Sequence, residues 1–173
     1  MKKIILLLLI SNYSFANIKL LYSEVKFSAI GRPSFIKANG TVPLILTEMK
    51  LEKNTFSGNA IVDLEKLNSG IDLRDKHLKD KYLETKKFPQ AKIVIEPQEI
   101  TYAKEIELKA KLMLHGEEKE VILKSRFMKE DNKLNFISNF EVLLSLFKIE
   151  LPSFQGISAA NKVKLKIDTS FEI

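Results

Sequence analysis

Residues 105–114 read EIELKAKLML, and this stretch decides the fold. Apolar residues stand at every second position from Ile106 to Leu114, and charged residues fill the places between them as far as Lys111. Such period-2 alternation is typical of a β-strand with one buried and one wet face. It favours antiparallel pairing, because parallel strands are buried on both faces and read as continuous apolar runs. Ala110, the smallest apolar residue of the run, is expected to point inward.

The same alternation continues outward from this stretch in both directions. Strands are predicted at 24–29, 35–39, 42–49, 56–64, 93–97, 106–114, 121–127, 134–142 and 163–173, separated by turn residues such as Asn39-Gly40 and His115-Gly116. The chain is therefore all-β and antiparallel. About eight strands fit a closed barrel, whose interior can hold side chains or one small ligand. Alternation alone leaves a two-sheet sandwich open.

One segment between two predicted strands departs from this rhythm. Leu78, Tyr82 and Leu83 follow a helical spacing rather than a strand spacing. We therefore predict a short helical segment near residues 75–87, which ends before Phe88-Pro89.

The N-terminus resembles a targeting signal. Lys2 and Lys3 precede the apolar run 4–10, and Ser14-Phe15-Ala16 offers small residues at the positions that a signal peptidase reads. The run is too short to span a bilayer in a helix, which takes about 20 residues. Residues 1–16 are thus predicted to be a cleaved signal peptide and residues 17–173 a single domain.

Composition excludes several function classes. The net charge of +6 falls to +4 once Lys2 and Lys3 are removed, and the remaining lysines are scattered, so a nucleic-acid partner is not expected. The chain contains no cysteine, which excludes disulfides, thiolate metal sites, a cysteine nucleophile and a bacterial lipoprotein anchor. We therefore expect a soluble mature protein.

Residues 56–96 closely resemble the YceI-like family. The resemblance rests on Ser69-Gly70, Arg74-Asp75, His77-Leu78, Tyr82-Leu83-Glu84 and Phe88-Pro89, which follow one another in order. Downstream, Leu112, Leu114 and Gly116, then the region from Phe147 to Gly156 followed by Val163, resemble later motifs of the family, so the likeness spans nearly the whole mature chain. Two departures are Ser69, where threonine is usual, and Lys148, where many members carry glycine.

The resemblance implies a lipocalin-like barrel that is exported to the periplasm and binds a polyisoprenoid or an isoprenoid-tailed quinone. It also implies a tendency to form homodimers, and it supplies no catalytic residues or other cofactor. In such a barrel the apolar face of the strands would line the ligand lumen, and the candidates are Val25, Phe27, Ile106, Leu108, Ala110, Leu112, Val121, Leu123, Phe136, Phe140, Val163 and Leu165.

Arg74, Asp75 and His77 form the most distinctive polar group. They are expected either to make a polar rim at the barrel mouth or to staple the crossover loop, since charge-assisted hydrogen bonds are stronger than neutral ones. The neighbouring Lys76, Lys79, Lys81, Lys86 and Lys87 form either a solvated face or a surface for transient contact with anionic lipid.

Other functions remain as alternatives. The first is a ligand-free interaction or stress-response domain with a packed core. The second is a hydrolase centred on His77, although the chain has no G-x-S-x-G elbow. A metal site is not expected, because His77 lies among lysines that would repel a cation. We therefore expect a carrier rather than an enzyme.

Overall fold

The computed structural model describes residues 18–31, 37–151, 153–154, 157–158 and 161–173. The predicted signal peptide lies outside them. The strands are β1 (Lys19–Ile30), β2 (Lys37–Val42), β3 (Leu44–Glu52), β4 (Thr55–Asp63), β5 (Gln90–Glu99), β6 (Glu105–Leu114), β7 (Glu117–Glu130), β8 (Lys133–Leu143), β9 (Ser153–Phe154), β10 (Ile157–Ser158) and β11 (Lys162–Glu172). All pairings between these strands are antiparallel.

Nine strands form one sheet in the order β2-β1-β11-β8-β7-β6-β5-β4-β3, and β9 and β10 form a separate hairpin. The two edge strands, β2 and β3, are consecutive in the chain and are divided only by Pro43. Proline has no N–H to donate to a ladder, so the pairing changes partner at this residue. The stretch 37–52 thus pairs with β1 through its first half and with β4 through its second. It nearly closes the sheet into the predicted barrel.

The exposed edge of β2 is partly covered by the chain that follows β4. Thr41 and Asn68 exchange two backbone hydrogen bonds, with N···O distances of 2.8 and 3.0 Å. Gly40 permits this approach, because a Cβ at that position would collide with the Asn68 carbonyl oxygen and the Phe27 ring.

The strand directions give the barrel two different ends. The mouth end carries the connection between β4 and β5, the His115-Gly116 turn and the segment between β8 and β11. The closed end carries the Lys53-Asn54 and Asp131-Asn132 turns, and the first and last strands begin and finish there, with Lys19 opposite Glu172.

The closed half of the interior is filled by aromatic side chains. Phe56, Phe127 and Phe136 are 0–1% exposed, and their ring centroids lie 4.8–5.4 Å apart. We call these three residues the phenylalanine cluster. Ser125 and Ser138 are buried in this half and share a hydrogen bond of 3.1 Å. Their small side chains leave room for the rings.

A helical segment is present where one was predicted, but its bounds differ from 75–87: it begins at Asp72 and ends at Tyr82. Helix α1 spans Asp72–His77 and continues into a π-helical turn at Leu78–Tyr82. Asp72 and Asp75 in the first turn favour this start, because carboxylates stabilise a helix N-terminus. Shorter 3₁₀ turns follow β4 at Leu64–Lys66 and β8 at Leu144–Phe147.

Candidate functional site

A cavity of about 520 Å³ occupies the mouth half of the barrel. Inward side chains of β1 to β6, β8 and β11 form its wall, and the segment between β4 and β5 borders its opening. Among its lining residues only Arg74, His77, Tyr82 and Lys92 carry polar side chains. The space is therefore suited to an apolar ligand with at most one polar end near the mouth.

The structure places the twelve lumen candidates in three groups. Val25, Phe27, Leu112, Phe140, Val163 and Leu165 line the cavity. Leu108, Ala110, Leu123 and Phe136 are 0–3% exposed and pack within the core, away from the cavity wall. Ile106 and Val121 are half-buried and pack against that core. Alternation identifies the inward face, but it does not tell how far along the barrel axis a residue lies.

Several lining residues were not among the sequence candidates. Small side chains leave the cavity open, and they are Ala29, Ala38, Ala60 and Ala91. The connection between β4 and β5 adds apolar residues at the opening, which include Ile71, Leu73, Leu78, Tyr82 and Leu83. The signal that could have found the first group is the presence of alanine at inward positions, facing the larger residues of other strands.

Arg74 and Asp75 meet through Ser69. Asp75 is 8% exposed, and its carboxylate accepts hydrogen bonds from the Ser69 backbone N–H at 2.9 Å and from the Ser69 hydroxyl. The Arg74 guanidinium donates from Nε to Ser69 Oγ at 2.8 Å, to the Ser69 carbonyl at 2.6 Å and to the Lys37 carbonyl at 3.0 Å. This network fixes the start of α1 against the first residue of β2. Arg74 also lines the cavity, so one side chain belongs to both the staple and the rim.

His77 lies at the cavity opening and is exposed to solvent. Within the described residues it makes no hydrogen bond to Ser69 or Asp75, and the Ser69 hydroxyl is already engaged by Arg74 and Asp75. A hydrolase requires a nucleophile within hydrogen-bond reach of its base. The described geometry does not provide this arrangement around His77.

His115 lies outside the cavity and links the loops around its opening. Its side chain is 10% exposed, with Nδ1 at 3.1 Å from the Phe147 carbonyl oxygen and Nε2 at 2.8 Å from Glu84 Oε2. The ring also packs on Phe88, with centroids 4.5 Å apart. The β6–β7 turn is thereby tied to the two long connections that border the cavity.

Exposed apolar side chains stand beside the opening. Ile71 and Leu73 are 53% and 64% exposed, and α1 and the turn after it carry Lys76, Lys79 and Lys81. Exposed apolar residues and lysines thus belong to the same segment, which borders the cavity.

The described part of the chain contains no group of three or more His, Cys, Asp and Glu side chains arranged to hold a metal ion. Nor does it contain a helix long and apolar enough to cross a membrane.

Comparison with known proteins gives a family and a fold. The model of the family described as YceI-like domain matches residues 17–171. None of the curated proteins compared with the chain matches it.

Three solved structures share the architecture at low sequence identity. Burkholderia cenocepacia BcnA superposes with a TM-score of 0.73 at 15% identity, over 86% of this chain and 95% of that one. A polyisoprenoid-binding domain from Saccharophagus degradans gives 0.68 at 13% identity, over 90% and 98%. The Campylobacter jejuni YceI protein gives 0.54 at 14% identity, over 97% and 98%. At these identities the likeness concerns the fold.

Proposed function

Because this chain belongs to the YceI-like domain family, we propose that it binds a lipid, namely a polyisoprenoid or an isoprenoid-tailed quinone, inside the barrel and acts as its carrier. The observation that carries the proposal is the 520 Å³ cavity with its nearly uninterrupted apolar wall. The similar domain from Saccharophagus degradans, which is described as polyisoprenoid-binding, supports the class of ligand.

A ligand of this kind can bind tightly without a special polar contact. Burying apolar groups contributes about 0.8 kcal/mol per methylene. A chain of several isoprene units thus offsets an association cost of roughly 4–15 kcal/mol. The polar lining residues Arg74 and His77 stand at the opening, where the head group of the ligand would remain near water.

Extraction and cavity filling test the proposal together. Protein purified from its own cells should release an isoprenoid lipid into organic solvent, identified by mass spectrometry. Ala91 lines the cavity, so Ala91→Trp should fold with near-parental stability and release little lipid.

Two controls accompany this variant. Ala110 is 3% exposed within the packed core, so Ala110→Trp should overpack it and lower stability by about 1–3 kcal/mol. Lys109→Trp places the ring on the outer face and should change neither quantity. A parent without lipid, together with strong destabilisation by Ala91→Trp, would instead favour the interaction domain with a packed core.

The proposal locates the carrier in the periplasm. It rests on the signal-like pattern of residues 1–16, and the family match begins immediately afterwards, at residue 17. Intact-mass measurement of the exported protein should give a chain that begins at Asn17. A chain that retains residues 1–16 in the membrane fraction would contradict export as a free carrier.

Loading is proposed to occur by transient contact of the mouth with an anionic membrane. Exposed Ile71 and Leu73 can enter the interface, and each nearby lysine adds about 1 kcal/mol of attraction to such a surface. Leu73→Ser should weaken co-sedimentation with phosphatidylglycerol vesicles, whereas Leu21→Ser at the closed end should not. Equal effects of the two substitutions would argue against contact through the mouth.

We also propose that the protein forms a homodimer, and this part of the proposal rests on the family resemblance alone. Sedimentation equilibrium of the mature chain should give twice the monomer mass, and a monomer at all concentrations would remove this element.

A further inference from the structure

The cavity ends well short of the closed end of the barrel. Along β8 the inward positions Val142 and Phe140 line it, whereas Ser138 and Phe136 lie below its wall, buried in the core. Along β4 the inward residue Ala60 lines it, whereas Phe56 does not. The phenylalanine cluster therefore occupies the part of the interior into which a long ligand would otherwise extend.

From this arrangement we infer that the phenylalanine cluster is a ruler, which sets how many isoprene units the barrel can bury. The inference rests on the proposed lipid-binding function and specifies the ligand that it selects. The 520 Å³ cavity ends at the cluster, so only a limited number of isoprene units fit inside it. Additional units of a longer chain remain outside the mouth.

The phenylalanine cluster forms the floor of the cavity, and it is packed tightly enough to limit how far a ligand can enter. The Phe56 ring contacts both Phe127 and Phe136 at centroid distances of 4.8 and 5.4 Å, and all three side chains are 0–1% exposed. Protein interiors are close-packed, so a ligand cannot displace such rings without opening the core. Ser138, which lies between Phe136 and the cavity-lining Phe140 on β8, is 0% exposed, and Thr169, which pairs with Phe136 from β11, is 2% exposed.

Substitutions can move the floor in both directions. Ala60→Phe adds an aromatic ring inside the cavity, and this ring takes up about the space of one isoprene unit. Phe136→Ala removes a ring of the same size from the floor. Phe136→Leu makes a smaller change in the same direction and serves if the alanine variant does not fold.

The test measures how affinity depends on chain length. Delipidated protein is titrated with geraniol, farnesol, geranylgeraniol and longer all-trans homologues, and binding is followed by displacement of a fluorescent fatty-chain probe. Affinity should rise at least about tenfold per added unit, since each unit buries further carbons. It should level off at a definite chain length in the parent, about one unit shorter in Ala60→Phe and about one unit longer in Phe136→Ala.

Phe171→Leu is the matched control. Phe171 is as buried as Phe136, at 1% exposed, but it lies further from the cavity, one inward position beyond Thr169 on β11. The substitution should lower stability and leave the length limit unchanged. Affinity that continues to rise with every homologue, or a limit that neither Ala60→Phe nor Phe136→Ala moves, would overturn the ruler while lipid binding stands. Failure of every homologue to bind the parent would overturn the proposed function and the ruler with it.

Discussion

At the scale of single residues, Ser69 shows what the sequence could and could not reveal. The sequence motif that contains it predicts that Arg74 and Asp75 act as a staple or a rim. The motif does not indicate their shared partner, because hydrogen bonds over five or six residues depend on how the loop turns at Gly70, which has a φ of 77°. The Ser69 backbone and hydroxyl accept from Arg74 and donate to Asp75 at the same time.

From this arrangement we expect Asp75 to contribute to the stability of the fold. Asp75→Ala should lower the free energy of unfolding by about 1–3 kcal/mol, because the Ser69 N–H and hydroxyl lose their acceptor in a part-buried place. Urea unfolding of delipidated protein measures the change.

Two further variants control this experiment. Asp75→Asn keeps an acceptor oxygen and should recover part of the loss. Asp80→Ala, on the exposed side of the same segment, should stay within about 0.5 kcal/mol of the parent. Equal effects of Asp75→Ala and Asp80→Ala would show that the network contributes nothing.

At the scale of elements, the predicted alternation correctly identified the antiparallel strands, as in Glu105–Leu114. It did not divide the interior into an open and a filled half. Leu112 lines the cavity and Leu108 does not, although both belong to the same face of β6. The difference lies in the opposing strands, where alanines such as Ala60 and Ala91 face the open half and phenylalanines such as Phe56 face the filled half. Those neighbours are set by tertiary structure.

The joint at which Thr41 of β2 pairs with Asn68, after β4, gives a test at the scale of elements. Gly40→Ala should lower the free energy of unfolding by about 1–3 kcal/mol, because the new methyl group collides with the Asn68 carbonyl and the Phe27 ring. Thermal unfolding reports the loss, and hydrogen exchange at the Thr41 amide should speed up as its bond to Asn68 opens.

Asn39→Ala is the matched control for this joint, since Asn39 is the exposed neighbour of Gly40 on β2. It should leave both measurements near the parent values. Unchanged exchange at Thr41 in Gly40→Ala would mean that the joint adapts to the added methyl group.

At the scale of the whole molecule, exposed ion pairs on the barrel surface predict a stability that depends on pH. A hydrogen bond from Lys148, with Nζ at 2.6 Å, lowers the pKa of Glu117. Lys162 and Lys26 lower the pKa of Glu141 and of Glu24 in the same way, each from 2.8 Å. A carboxyl group with a lowered pKa in the folded state stabilises the fold above its unfolded pKa, and this contribution is lost as the pH falls through the folded value.

The melting temperature should therefore hold from neutral pH down to about 5 and decline below the ordinary glutamate pKa of 4.5. High salt should flatten the decline, because exposed pairs are screened. Calorimetry at two salt concentrations measures this, with Glu117→Gln as a variant whose decline is shallower. A melting temperature that rises on acidification would contradict the role of these pairs.

The antiparallel pairing of β1 with β11 has a practical consequence. Lys19 lies opposite Glu172, so the first and last strands meet at the end remote from the cavity opening. A sensor chip, bead or fluorescent protein joined after the end of β11 would hold the barrel by this end, with the opening turned to the solution. Every copy immobilised in this way would present the same side to vesicles flowing past. A peptide bridge from the end of β11 to the start of β1 would likewise allow the chain to be opened elsewhere without obstructing the route of a ligand.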